Sequence, residues 1–331
     1  MAVIGTGNPT FLDIIKSQDP DGSQAQVVEA LQQRNPILMD ATAQEGNLPT
    51  GDRINIRSGL PAIGWRRINE GVSASKSTSI QVDETAGLLE GRSVIDSELL
   101  RINGNSAAFR SKEDRAFVQS MNNEVATALF YHSTKATPEK ILGLTPRFDA
   151  LTADPNSENV IDAGLTPAGS DQASMWFITW DPEICYMMFP KGMTGGLSSK
   201  DLGEDYEDDP ADSTKKFLAW RTHWIWRLGL VVKDWRYIVR VCNIDLGDIT
   251  ATGTELITAM VKAYNHLYSV GVGRQVIYCN RTVLQWIDLQ VMNKANIWFA
   301  PTMWHGKQIS GFRGIPIVPC DALLSTEAAV T

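Results

Sequence analysis

The sequence predicts an α+β protein, and three observations carry that prediction. Short runs of strict apolar–polar alternation fill residues 51–105, the period-two signature of half-buried strands. One uninterrupted stretch, Ser111 to Thr134, instead repeats its apolar residues every three or four positions, the period of a helix. The last third of the chain switches back and forth between the two periods, so helices and strands share that region.

Composition narrows the class. The 331 residues are 43% apolar and 21% charged, a globular balance with enough chain for one large domain or two to three lobes. A formal net charge of −8 argues against a surface built to hold nucleic acid by its phosphates. Cys185, Cys242, Cys279 and Cys320 stand singly, with no C-x-x-C pair, and read as reduced core residues of a cytosolic protein. Met1 to Asp13 lacks the basic start and apolar run of a signal peptide, and no apolar stretch approaches the eighteen or so residues of a membrane span. The expectation is a soluble product made in the cytoplasm, which stays there unless it is carried out inside something larger.

In chain order, residues 1–50 read as an irregular polar arm with one short helix, opened at Asp21-Gly22-Ser23 and stopped at Asn35-Pro36. Its apolar content is too thin to hold it in place, so it is either a partly ordered terminus or a segment lying on a neighbouring subunit. Arg53-Ile54-Asn55-Ile56-Arg57, parts of Trp65 to Gly71, and Thr78 to Val82 alternate as strands, and Val72 to Ser77 is the small-residue tip of a long hairpin. Such a two-stranded ribbon is marginal alone and must lie on its own domain or on another copy.

The helix from Ser111 to Thr134 opens with Ser111 as its cap and two early carboxylates, and it places Phe117, Met121, Val125, Ala128 and Leu129 on one face. A Pro- and Gly-rich loop, 137–173, marks a boundary. Strands follow at Met175 to Trp180, Ile184 to Phe189, Phe217 to Val232 and Trp235 to Ile244, in a block holding six of the ten tryptophans, whose usual role is to fill a core. Within this block the acidic run Asp201 to Asp212 reads as a solvated surface loop, because Pro210 stands where a calcium loop needs Gly and no closing Glu follows. Thr254 to Tyr268 and Arg281 to Ala295 read as helices, Gln275 to Cys279 as a buried strand, and Ile315 to Pro319 as an edge strand because of its two prolines.

No chemistry is legible by motif. His132, His223, His266 and His305 have no metal-ligand spacing, and there is no H-E-x-x-H, no G-x-S-x-G and no phosphate loop around Gly306-Lys307. Gly271-Val272-Gly273 precedes a strand, the reverse of a dinucleotide fingerprint. No catalytic residue, cofactor site or metal site is assigned, and the chain reads as no enzyme.

The order of parts (polar arm, long ribbon, long helix, mixed lobe) carries a resemblance. With it go Asn35-Pro36-Ile37-Leu38, Gly64-Trp65-Arg66-Arg67, Trp226-Arg227-Leu228-Gly229-Leu230-Val231-Val232, Arg240-Val241-Cys242-Asn243-Ile244-Asp245 and the close Gly311-Phe312-Arg313-Gly314-Ile315-Pro316-Ile317-Val318. Over essentially the whole chain this resembles the major capsid proteins of tailed double-stranded DNA phages, with the Hong Kong 97-like fold, and in particular those of short-tailed phages of the epsilon-fifteen kind. The resemblance implies an N-terminal arm at 1–50 and an extended β-ribbon loop at 51–105. It implies a peripheral domain at 106–173 with a spine helix at 111–134, and an axial domain at 174–331. The usual closing stretch of the peripheral sheet is missing after Pro319, so a rearranged strand order is expected, with the strands near 217–245 completing the peripheral domain.

The implied function is a virion shell protein that self-assembles into hexamers and pentamers of an icosahedral head. It encloses double-stranded DNA without sequence-specific binding and uses no cofactor or membrane. Its implied partners are other copies of itself, a portal, and scaffolding or cement proteins, with assembly in the host cytoplasm. Trp65, Arg66, Arg67 and Lys76 on the ribbon are the candidates for contacts between subunits; a locally packed tryptophan with solvated arginines is the other reading of the first three. The alternatives are an enzyme or ligand-binding protein with a site built from the aromatic block 174–247 and the acidic run, and a tail or adhesion protein.

Overall fold

The computed structural model describes residues 33–102, 106–152, 156–165, 171–209, 212–250, 255–292 and 299–331. The short helix read near Asp21 lies outside them. Among the described residues fourteen strands form three sheets. The ribbon is β2 (Gly51–Gly59) paired antiparallel with β3 (Thr78–Thr85). A five-stranded sheet runs β1 (Ala43–Glu45), β7 (Cys185–Phe189), β9 (Asp212–Val232), β4 (Gly87–Asp96), with β8 (Leu197–Asp209) also on β9. A seven-stranded sheet runs β12 (Phe299–Trp304), β13 (Lys307–Phe312), β14 (Ile315–Pro319), β11 (Arg274–Cys279), β6 (Gln172–Trp180), β10 (Ile238–Asp245), β5 (Val160–Asp162).

All nine residues of β6 and all eight of β10 are buried, so this sheet is covered on both faces, as near-continuous apolar strands require. Side-chain alternation divides the cover. Met175, Phe177, Val239, Val241 and Ile277 face helices α4 (Glu255–His266) and α5 (Arg281–Met292). Trp176, Ile178, Trp180, Ile238 and Tyr278 face the other way, into a core shared with Leu228 and Leu230 of β9. The long helix α3, Ser106–Tyr131, enters that second core with Val125, Ala126, Ala128, Leu129 and Phe130. The segment after the helix, residues 137–152, contributes Ile141, Leu144 and Phe148 to the same core. The chain comes back hard against the end of the helix, where the Gly143 and Leu144 amides donate to the carbonyls of His132 and Leu129, each at 2.9 Å. A Cβ on Gly143 would stand 2.6 Å from the Ala128 carbonyl oxygen, so this approach requires glycine.

Several local expectations need correction. The helix starts at Ser106, so Ser111 lies inside it rather than capping it, and it ends at Tyr131. Trp65 to Gly71 is not a strand: β2 ends at Gly59, and the ribbon's tip spans 60–77. Asp201 to Asp209 of the acidic run lie in strand β8 rather than in a loop; their alternation marks no face, because both faces of this hairpin are polar. Ile315–Pro319 is internal, not an edge. Its first half pairs with β13 and its second half with β11, so each proline meets a partner strand on one side only. The strands near 217–245 divide between two sheets. β9 pairs with β4, while β10 pairs with β6 and β5 in the other sheet, because a strand buried along its whole length needs neighbours on both edges. Hairpin β12–β13 was missed altogether. It closes at His305-Gly306, and β13 closes on β14 at Arg313-Gly314, all four residues having positive φ, the geometry of two-residue hairpin turns.

Candidate assembly surfaces

The ribbon is fixed at its base and free at its tip. At the base, Ile54 is buried with Tyr186, Met188 and Val231, and the Tyr186 hydroxyl donates to buried Asp52. On the return strand, Arg147 grips Glu84 with both guanidinium arms, at 2.5 and 2.7 Å, and also donates to the carbonyls of Leu142 and Leu230 at 3.2 Å. This fork-on-carboxylate pairing holds direction as well as charge. Farther out, Arg53 and Asp83 pair at 2.6 Å across the two strands, and this hydrogen bond holds the Asp83 carboxyl below its usual range.

From the end of β2 into the start of β3, residues 60–80 are exposed without interruption. Trp65 is 104% exposed, Ile63 94%, Ile68 91% and Leu60 80%. The four residues expected to make subunit contacts, Trp65, Arg66, Arg67 and Lys76, all lie in this tip and are all exposed. Their polar links stay within the tip: Arg66 donates to the Glu70 carbonyl at 3.1 Å, and the Glu70 amide donates to the Arg67 carbonyl at 3.2 Å. Trp65 is therefore not locally packed. The sequence reading left out Leu60, Ile63 and Ile68, although apolar residues in a small-residue tip were the available signal. Four large apolar side chains bared together on one loop form the kind of exposed apolar patch that serves as an interaction site in other proteins.

The root of the arm is also anchored. Helix α1 (Ile37–Asp40) buries Ile37 and Asp40. Asp40 accepts from the Tyr278 hydroxyl at 2.8 Å and the Trp304 indole at 3.0 Å, and it pairs with Arg274 at 2.5 Å and His305 at 3.0 Å. Ile37 and Asp40 thus tie the start of this segment to the core, a role that a single carboxylate in a polar segment does not announce.

The acidic run carries no convergent site. Its carboxylates are spent one by one on neighbouring cations: Asp201 on Arg110 at 2.6 Å, Glu204 on Arg101 at 3.3 Å, Glu207 on Arg92, Asp205 on Arg221 and Asp208 on Lys216. Among the described residues no group of three His, Cys, Asp or Glu side chains is placed to hold a metal ion. Of the aromatic block, Trp176 and Trp180 are fully buried in the core. The four cysteines are buried free thiols, and burial pushes Cys185, Cys242 and Cys320 up to about 12. None has the low pKa of a reactive thiol.

No curated protein matches the chain. A chain in the near-atomic structure of bacteriophage epsilon15 is 36% identical, is covered over 100% of both chains and superposes with a TM-score of 0.80. The capsid of bacteriophage JBD30 is 10% identical over 89% of this chain and 93% of that one, with a TM-score of 0.49. The capsid of phage XM1 is 10% identical over 66% of this chain and 95% of that one, with a TM-score of 0.45. The family model described as major capsid protein GP7 matches residues 19–331. With residues 19–331 matched by the family model and a 36% identical chain matched over its full length, the chain belongs to the major capsid protein GP7 family, and its role is structural, in the shell of a phage capsid.

Proposed function

We infer that the chain forms an icosahedral head by closing hexamers and pentamers of itself, each copy laying its ribbon on a neighbour. The bared ribbon tip carries this reading: it is anchored at Glu84 and Asp52 but covers nothing of its own chain. A heterologous contact of this kind, repeated with a closing rotation, gives rings and then a cage. Individual contacts can be weak because each copy makes several at once.

In this reading residues 1–50 are the arm, 51–105 the extended loop, 106–173 the peripheral domain and 174–331 the axial domain, with β9 lent to the peripheral part through its pairing with β4. Trp65, Arg66, Arg67 and Lys76 make contacts between subunits. The net charge of −8 keeps the wall from adhering to packaged double-stranded DNA. Portal and scaffolding or cement proteins complete the head, which assembles in the host cytoplasm. The chain performs no catalysis.

Replacing residues 60–77 with an Asn-Gly turn tests the reading. The shortened chain is expected to fold, with an unchanged urea midpoint, and to remain as separate subunits in electron micrographs under conditions where the full chain forms shells. Closed shells from the shortened chain would refute it.

A further inference from the structure

Residues 320–331, which follow β14, form neither helix nor strand, and side chains from distant parts of the chain meet their backbone. The Ala322 amide donates to the Asn35 side chain at 3.0 Å, and the Leu324 amide to the Tyr131 hydroxyl at 2.9 Å. The Asn280 side chain donates to the Leu323 carbonyl at 2.6 Å. Asn243 does both. Its side-chain amide donates to the Val330 carbonyl at 3.0 Å and accepts from the Val330 N–H at 2.8 Å. A helix or sheet satisfies its own backbone; a segment read by other residues' side chains is held as a bound peptide is held. Its apolar grip rests on buried Cys320, Ala322 and Leu323, with Val330 packed at the margin of the core.

Asn243 gives up regular geometry to make its clip. Among the described non-glycine residues with positive φ, Asn69, His305 and Arg313 lie in turns, whereas Asn243, at 55°, stands inside the buried strand β10. There the pairing of β10 with β6 shifts register between Val241 and Ile244. A left-handed residue at a bulge in a covered strand costs conformational energy, and the return here is the pair of bonds to Val330. The other end of the segment is tied to the arm root. The Arg34 amide donates to the Asp321 carboxylate at 2.7 Å, and the Asp321 amide donates to the Arg34 carbonyl at 3.1 Å. Asp321 also pairs with Arg281 at 2.6 Å.

We propose that residues 320–331 are a detachable strap, and that its docking on Asn243 fixes the arm root through Asp321. Strap and root then open and close together, because coupling between two sites is reciprocal. An undocked strap releases Arg34 and Asn35 as well as Tyr131 at the end of the long helix. Docking therefore readies the subunit for assembly, a consequence that rests on the arm lying between copies, as inferred above.

Hydrogen exchange in the unassembled full chain tests the coupling. The strap is loosened at opposite ends by Asn243→Gly, which keeps the positive φ without strain, and by Asp321→Ala. Each variant is expected to speed exchange in both peptides 33–41 and 321–331 by about 5- to 150-fold, the usual range of coupling between sites. Peptide 255–266, which is α4 in the opposite core, is expected to keep its rate. Faster exchange only at the substituted end would overturn the coupling. Uniformly faster exchange that includes α4 would overturn it too, since it would make the strap a contribution to global stability. Shell formation from purified subunits is expected to slow in both variants. Coupled exchange with unchanged shell formation would overturn the role in assembly. If the unaltered chain forms no shells, the arm between copies fails, while the exchange rates still decide the strap.

Discussion

Arg240 and Glu327 meet at 2.8 Å inside the core, with 2% and 6% of their side chains exposed. The pair ties strand β10 to the C-terminal segment, which has no strand of its own but bonds to β6 through the Glu327 amide and the Gln172 carbonyl at 2.8 Å. The surrounding groups complete it: Tyr131 donates to Glu327 at 2.6 Å and Ser174 at 2.5 Å, while Arg240 donates to the Phe148 carbonyl at 2.7 Å. Glu327→Ala leaves a buried guanidinium unpaired, a loss of about 3–5 kcal/mol, whereas Arg240→Met with Glu327→Leu removes both charges and recovers most of it. Urea unfolding of the unassembled subunit measures both. A single-variant loss below about 1 kcal/mol would sink the argument, since that is the size of an ordinary exposed pair.

Asp40 holds the arm root to the seven-stranded sheet. Asp40→Ala orphans the buried Tyr278 hydroxyl and Trp304 indole, at about 1–3 kcal/mol for each donor left unsatisfied. Limited proteolysis is expected to cut residues 41–50 faster in the variant. Equal rates in the two proteins would mean that other contacts hold the root.

Gly143→Ala forces a methyl group to within 2.6 Å of the Ala128 carbonyl oxygen. The helix end and the returning loop must separate, and the expected cost is about 1–3 kcal/mol, as for other overpacked sites. Thermal unfolding reads it as a lowered Tm; an unchanged Tm would show that the loop shifts freely.

His132 gives the subunit a pH dependence. Burial first, and the neighbouring Lys140 second, lower its pKa from the ordinary 6.5, so the unfolded chain takes up this proton before the folded one does. Stability therefore falls as pH drops through about 6.5 and goes on falling until the folded pKa is reached. His132→Gln removes this component, and the difference between the two unfolding curves at pH 7 and pH 5.5 measures it. Parallel curves would contradict the assignment.

The buried thiols are expected to resist a thiol reagent in the native subunit and to react together on unfolding, because all four are buried and few are present as thiolate at neutral pH. Rapid labelling of any one of them in the folded subunit would place it at a surface that the structure does not give it.

The sequence by itself determined the elements whose signals are local and repeated. The alternation at Arg53 to Arg57, the apolar period of Met121, Val125 and Leu129, and the aromatic runs of β6, β9 and β10 each state a face that must be buried, so strands and helices were legible at nearly their observed positions. The thin apolar supply of the ribbon was legible too, but the sequence left open whether Trp65 packs locally, and only the structure shows it bare. What only the tertiary structure decided is which faces meet. Pairing between distant strands depends on the burial of both edges and both faces, and no window of sequence contains that information. So β9 and β10, six residues apart in the chain, go to different sheets, and Ile315–Pro319 turns from an edge into an interior strand by dividing its two partners along its length. Asp40 and Glu327 look like solvated carboxylates in the sequence. They become buried anchors because the Tyr278 hydroxyl, the Trp304 indole, Arg274 and Arg240 are carried to them from strands hundreds or tens of residues away, which supplies the hydrogen bonds that make a buried charge tolerable.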